Sequence, residues 1–376
     1  MEKAVFEIEG DRQMIDKTIR LGDVATYVNG YAFKPSDRGE VGLPIIRIQD
    51  LTGNAYDLGF YDGEYPKRIE INNGDILISW SASLGVYVWN RGKALLNQHI
   101  FKVVFDKANV DKDYFVYAIK YNLGVMESKA HGATMKHIVK KDFDNTLIPY
   151  PSLDEQKSIA QKLDLVSRVI IRRQQELDKL DELVKARFVE MIESTDTAPT
   201  RMGDIATYIN GYAFKPAQWE DSGYPIIRIQ NLNDTNAPYN YYSGNLADKY
   251  LIHNGDVLVS WATHLEAYIW KGKEAWLNQH IFKVVFDKIE VDKTYFVYAC
   301  EEALRQAFRN AHGFKPTMEH IKKADFDAAI VRLPNIQTQK EFATFVEQID
   351  KSKFVVQKAL DEAQLLFDSL MQKYFG

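Results

Sequence analysis

Two long stretches of the chain carry apolar residues at alternating steps of three and four, uninterrupted by proline or glycine. In the first, Ile159, Leu163, Val166, Ile170, Leu177, Leu180, Val184 and Met191 form the stripe, and Arg173 and Arg187 fill the two skipped positions. In the second, Phe342, Val346, Ile349, Val356, Leu360, Ala363, Leu366 or Phe367, and Leu370 repeat the pattern. Stripes with charge between them predict heptad-like helices that pair as an antiparallel hairpin or coiled coil. A helix of about forty residues spans roughly 60 Å, enough to hold two globular domains apart. Because the two helices are of similar length, pairing within the chain is expected.

Ahead of each stripe the period shortens. GDVATYV and GDIATYI read as short helical openings, each followed by Asn-Gly, a turn signal. PIIRIQ, NNGDILISW or HNGDVLVSW, VYVW or AYIW, and HIFKVVF are β-rich runs with the marks of strands. DKDYFVYAIKYNLGVMESKA has apolar residues at helical spacing. The expected fold is an α/β (α+β) domain with a strand-rich middle, present twice and separated by two long antiparallel coiled-coil helices.

The duplication is explicit. GDVATYVNGYAFKP from Gly22 returns as GDIATYINGYAFKP from Gly203, and LNQHIFKVVFDK from Leu96 returns unchanged from Leu277, a constant offset of 181 (203 − 22, 277 − 96). Roughly half of the aligned positions are identical. A period this long marks a duplicated domain rather than a solenoid, whose units run to about 20–50 residues. The expected order is an N-terminal segment 1–20, domains 21–150 and 201–333, and helices 151–195 and 334–376. The polar run ESTDTAPTR, Glu193 to Arg201, is the expected linker. Two similar domains on one chain suggest the binding of a two-part target.

Charge and cysteine content narrow the partners. Net charge is −5, and Leu21 to Tyr150 holds 15 basic and 15 acidic residues, so any affinity for phosphates must come from a local patch or a more basic partner. Cys300 is the only cysteine, which excludes an intramolecular disulfide and suits a reducing cytoplasm. MEKAVFEIEGDRQM has no apolar core for a secretory signal, and no apolar run is long enough to span a membrane.

Catalytic chemistry is not legible. There is no Asn-Pro-Pro-Tyr or Asp-Pro-Pro-Tyr motif to hold a flipped base, no G-x-G-x-x-G turn and no G-x-x-x-x-G-K-[ST] loop. His99, His131 and His137 recur as His280, His312 and His320, but their spacing matches no zinc motif, so neither metal nor cofactor is expected.

The order domain, helix, domain, helix resembles the specificity subunit of type I restriction-modification enzymes. The residues that carry the likeness are NGYAFKP and PIIRIQ, the NQHIFKV strand, HGATMKHI and HGFKPTMEHI, and the P-x-x-x-x-Q-K helix starts at Pro151 and Pro334. One departure is the second helix entry, Ile336-Gln337-Thr338-Gln339, which lacks the acidic residues of Leu153-Asp154-Glu155-Gln156. The resemblance implies a non-catalytic subunit with two target recognition domains, each reading half of a bipartite target in double-stranded DNA. It further implies helices that set the spacing and dock two methylation (M) subunits, with restriction (R) subunits completing the nuclease. A scaffold binding protein through its two domains is the alternative, and it accounts better for the acidic balance.

Phosphates are held by Lys, Arg, Ser, Thr and backbone N–H groups, and base edges by Arg, Lys, Asn and Gln. The first basic loop therefore offers Thr134, Lys136, His137, Lys140 and Lys141, and the second Lys315, Thr317, His320, Lys322 and Lys323. Lys34 and Lys215, just past an Asn-Gly pair, are further phosphate candidates. Tyr31, Phe33, Trp80 and Trp89, with Tyr212, Phe214, Trp261 and Trp270, are expected in the core. Arg47 and Arg228 fall in buried-looking strands and need partners, which favours a structural role over DNA contact. Thr52 to Glu70 against Asn233 to Leu251, and Ser81-Ala82-Ser83 against Ala262-Thr263-His264, differ most between the copies, where different base reading would reside.

Overall fold

The computed structural model describes residues 17–53, 58–129, 138–234, 236–263, 265–312 and 321–376. Its first domain holds two four-stranded sheets. One is antiparallel throughout, in the order Thr26–Asn29, Ile100–Val104, Ile76–Ser79, Gly85–Val88. The other runs Gly59–Tyr61, Leu43–Ile46, Ala94–Leu96, Glu70–Ile71, with one parallel pair in the middle. Successive side chains of a strand point to opposite faces. Ile76 and Ile78 thus enter one apolar cluster and Leu77 the other, which is why the whole strand is buried. A third ladder pairs Thr18–Arg20 with Leu147–Pro149, so the end of the expected N-terminal segment is a strand of the domain. Helix α1 (Lys112–Lys129) covers the antiparallel sheet, and α2 (Leu153–Ser194) follows.

The second domain repeats this in order and register. Thr207 pairs with Val285 as Thr26 pairs with Val104, and the parallel pair Ile226 and Trp276 matches Ile45 and Leu95. Its covering helix is α3 (Lys293–His312), and α4 (Ile336–Phe375) follows. Arg201, the last residue of the expected linker, closes a strand Pro199–Arg201 that pairs with Ile330–Arg332.

The chain divides inside its long helices. One compact unit takes residues up to Arg173 together with Ala359–Gly376, and the other takes Gln174–Lys358. In the first unit Ile159 and Leu163, early in α2, share a core with Phe367, Met371 and Phe375, late in α4. In the second unit Val184 and Phe188, late in α2, share a core with Phe342 and Val346, early in α4. The helices therefore run antiparallel within each unit. Phe188 lies next to Arg187, which is exposed, so the aromatic ring continues the stripe where the arginine breaks the heptad.

Both helix starts are fastened alike. Gln156 Oε1 accepts the Asp111 N–H at 2.9 Å while Nε2 donates to the Pro151 carbonyl at 2.9 Å. Gln339 does the same with Asp292, at 3.0 Å, and Pro334, at 2.7 Å. The missing acidic residues of the second entry are offset by Asn335, whose Oδ1 accepts the Thr338 N–H and hydroxyl. The first entry uses a capping box, Ser152 with Glu155.

Candidate nucleic-acid interface

The motifs shared by both copies converge at one place in each domain. Gly30 lies so close to the 96–97 backbone that a Cβ there would sit 1.9 Å from the Asn97 carbonyl oxygen, and Gly211 meets Asn278 identically. Close approach, rather than turn formation, is what glycine supplies at this Asn-Gly. Tyr31 N–H bonds to Leu96 O, and Gln98 N–H returns to Tyr31 O. His99 and His280 then adopt φ of 71° and 72°, the left-handed region that non-glycine residues enter at a cost. Each imidazole packs edge-on against a tryptophan, Trp80 at 4.9 Å and Trp261 at 4.8 Å between centroids. His99 Nδ1 is buried with no hydrogen-bond partner among the described residues. Sequence reading placed His99 at a strand head but missed its backbone conformation, which no motif announces.

Ile138 and Ile321, the first described residues of the two basic segments, lie beside this cluster. Ile138 N–H bonds to the Trp80 carbonyl at 3.0 Å and Ile321 N–H to that of Trp261 at 3.1 Å. Thr134, Lys136, His137, Lys315, Thr317 and His320 lie outside the described residues, as does His131. Of the remaining candidates, Lys140 and Lys323 open short helices, Lys140–Asn145 and Lys323–Ala328. Each reaches an aspartate one turn on, Asp144 at 2.7 Å and Asp327 at 2.6 Å, and lies over two aromatic rings. Both ammonium groups are thus engaged locally while half exposed. Lys141, Lys322, Lys34 and Lys215 are exposed.

Several expectations change. Tyr31 is 43% exposed and edge-on to Phe33, although its counterpart Tyr212 packs against a core cluster, and Trp89 and Phe214 are buried as expected. Arg47 and Arg228 stand at the starts of short helices, Ile48–Thr52 and Ile229–Asn233, because the strands of the PIIRIQ motif end one residue earlier. Arg47 forms an ion pair with buried Asp50, Nε to Oδ2 at 3.0 Å. Lys102 and Lys283, which the sequence did not single out, are half-buried and salt-bridged to Asp75 and Asp256, each at 3.0 Å. Their ammonium groups also donate to the Glu70 and Leu251 carbonyls of the other sheet, at 2.8 Å each, so both are engaged within the fold.

Among the described residues no group of three His, Cys, Asp or Glu side chains could hold a metal ion, and no helix is long and apolar enough to cross a membrane. A cleft of about 490 Å³ between strand Gly85–Val88 and α1 is lined by Asp113, Glu127 and Asp164 against Lys120, a net negative charge unsuited to phosphate. Burial pushes the Asp113 carboxyl up, with Asp164 and Asp111 adding to the shift.

Known proteins with the same plan exist. The family described as "Type I restriction modification DNA specificity domain" matches residues 16–182 and again 195–363. The EcoBI specificity subunit of Escherichia coli is 30% identical over 170 residues, 44% of this chain and 35% of that protein. The MjaVIII specificity subunit of Methanocaldococcus jannaschii is 20% identical across 93% of this chain and 89% of its own length. Among solved structures, the S subunit of a type I restriction-modification system from M. genitalium aligns over 96% of both chains with a TM-score of 0.52 at 13% identity. A chain from work on the assembly and conformational transition of a type I R-M system aligns over 95% of this chain and 97% of its own, TM-score 0.60 at 16% identity. At such identities the structural likeness is one of fold.

Proposed function

Because the chain belongs to the DNA specificity subunits of type I restriction-modification systems, we propose that each of its two repeated domains reads one half of a bipartite target in double-stranded DNA. Helices α2 and α4 set the spacing of the half-sites and dock two M subunits, and R subunits join that core in the nuclease. The chain itself is non-catalytic and works in the cytoplasm beside the chromosome. The observation that carries this reading is the duplication, register for register, of a two-sheet domain followed each time by a helix of 42 or 40 residues.

Lys34, Lys141, Lys215 and Lys322, exposed on the two domains, serve as phosphate contacts, together with the loop residues Thr134, Lys136, His137, Lys315, Thr317 and His320. Lys140 and Lys323 contribute through their exposed halves. Since roughly half of the aligned positions are identical, the two half-sites are related and the full target is partly palindromic around a non-specific gap. Single-molecule methylation mapping of the native genome, with the gene intact and deleted, tests this. A bipartite motif that loses methylation on deletion supports the reading. An unchanged methylome overturns it, and two unrelated half-sites overturn the palindrome alone.

A further inference from the structure

The two domains keep the same arginine and differ in what neutralises it. In the first, Arg47 holds Asp50 through Nε at 3.0 Å and a terminal nitrogen at 3.3 Å, and that carboxylate also accepts the Arg47 backbone N–H at 2.8 Å. In the second, position 231 is asparagine. Its Oδ1 accepts the Arg228 backbone N–H at 3.2 Å, and its Nδ2 is spent on the carbonyls of Ala237 and Pro238, 3.2 Å each. Asn231 therefore preserves the backbone geometry of the helix start and supplies no negative charge. Arg228 has no ion pair among the described residues, and its Nε is buried without a hydrogen-bond partner. What it does have is the ring of Trp219, 5.1 Å from the guanidinium carbon to the ring centroid, with the indole itself 39% exposed.

A partly buried guanidinium normally finds an anion or a set of acceptors, because an unpaired charge away from water is costly. Stacking on an indole restrains the fork without using up its N–H donors. An arginine so held is suited to a rigid pair of acceptors. Guanine presents such a pair, O6 and N7, in the major groove. A phosphate contact that only positions the duplex would serve both domains equally. Here an arginine without an ion pair among the described residues occurs in one copy only, which fits base reading better than phosphate positioning.

We propose that Arg228, oriented by Trp219, reads a guanine in the half-site of the second domain, and that Asp50 silences the equivalent Arg47 in the first. The inference rests on the DNA-reading role proposed above. It assigns one concrete difference between otherwise related half-sites: a required guanine on one side only.

The test replaces Arg228 by Met and, separately, Arg47 by Met at the native locus, with methylation mapping of the genome and thermal unfolding of each purified full-length chain. With Arg228→Met, one guanine position in one half-site becomes degenerate, its preference falling by about ten-fold to a hundred-fold, while the other half-site stays intact. With Arg47→Met, both half-sites are kept and the thermal midpoint drops, because Asp50 is left buried and unpaired. Should Arg228→Met not fold, Arg228→Lys retains the charge, loses the fork and must give the same degeneracy. An unchanged motif in the Arg228 variants, or methylation lost evenly across all sequences as for a phosphate contact, overturns the assignment. A wild-type methylome without a bipartite motif dependent on this gene instead sinks the DNA-reading role, and this inference with it.

Discussion

Backbone strain sits in equivalent places in the two copies and buried charge does not, and each makes a measurable difference. Ala82 and Thr263 have φ of 60° and 65°. A β-branched side chain in that region is an outlier, whereas asparagine enters it readily. Thr263 is exposed, so Thr263→Asn should stabilise the second unit by about 1 kcal/mol, read as a rise in thermal midpoint; a fall would mean the hydroxyl makes a contact worth more than the strain. Glu301 on α3 has its carboxyl pushed above its ordinary 4.5, first by burial and then by Glu266, against the opposing pull of Arg305 and Lys185. The folded state thus holds that proton more tightly than the unfolded chain does. The associated stability is present below pH 4.5 and is lost as pH rises through the folded value, so at neutral pH the charged Glu301 is a liability. Glu301→Gln should raise the thermal midpoint at pH 7, and the gain should shrink towards pH 4. A gain independent of pH would contradict the burial argument. The first domain already has Lys120 at this position, lying over the ring of Phe367.

Strands and helices owe their placement to a small number of polar fasteners. Gln156 is 1% exposed and serves one donor and one acceptor of the backbone, so Gln156→Leu strands both Asp111 N–H and the Pro151 carbonyl. Each buried unsatisfied group costs about 1–3 kcal/mol. Denaturant titration should therefore show a loss of about 2 kcal/mol or more, with an unchanged m-value if the fold survives. A loss within 0.5 kcal/mol, roughly what a surface substitution costs, would show that water replaces the amide. Periodicity made the long helices, α1, α3 and most strands legible, because apolar steps of three or four and of two map directly onto helix and strand faces. It overran the strand in PIIRIQ, where Asp50 and Asn231 accept the N–H of the arginine three residues earlier and start a helix instead. It also left the ladder of Thr18–Arg20 with Leu147–Pro149 invisible, since the partners lie far apart in sequence and TIR carries no alternation to speak of. Of the candidate interface, the lysines were visible as residue types. That Lys140 and Lys323 are each held by an aspartate one turn on follows from a helix start that composition does not reveal.

The long helices belong to both compact units, and the function proposed for them is that of a ruler. Inserting four residues into α2 near Arg173 and four into α4 near Lys358 lengthens each by about 6 Å, close to two base-pair steps of about 3.4 Å. The methylation motif should gain one or two bases in its gap and keep both half-sites. Altered half-sites, or an unchanged gap, would remove the ruler. The division of the chain has another consequence, for the order in which the protein is made. Domains generally fold as they leave the ribosome, N-terminal first. Residues 174–358 form the second unit without interruption, whereas the first unit recruits Phe367, Met371 and Phe375, which come after all of the second. The domain synthesised first is therefore the one completed last. Until then an apolar seam stays open against Tyr114 and Tyr117, the rings that Phe375 and Phe367 eventually meet.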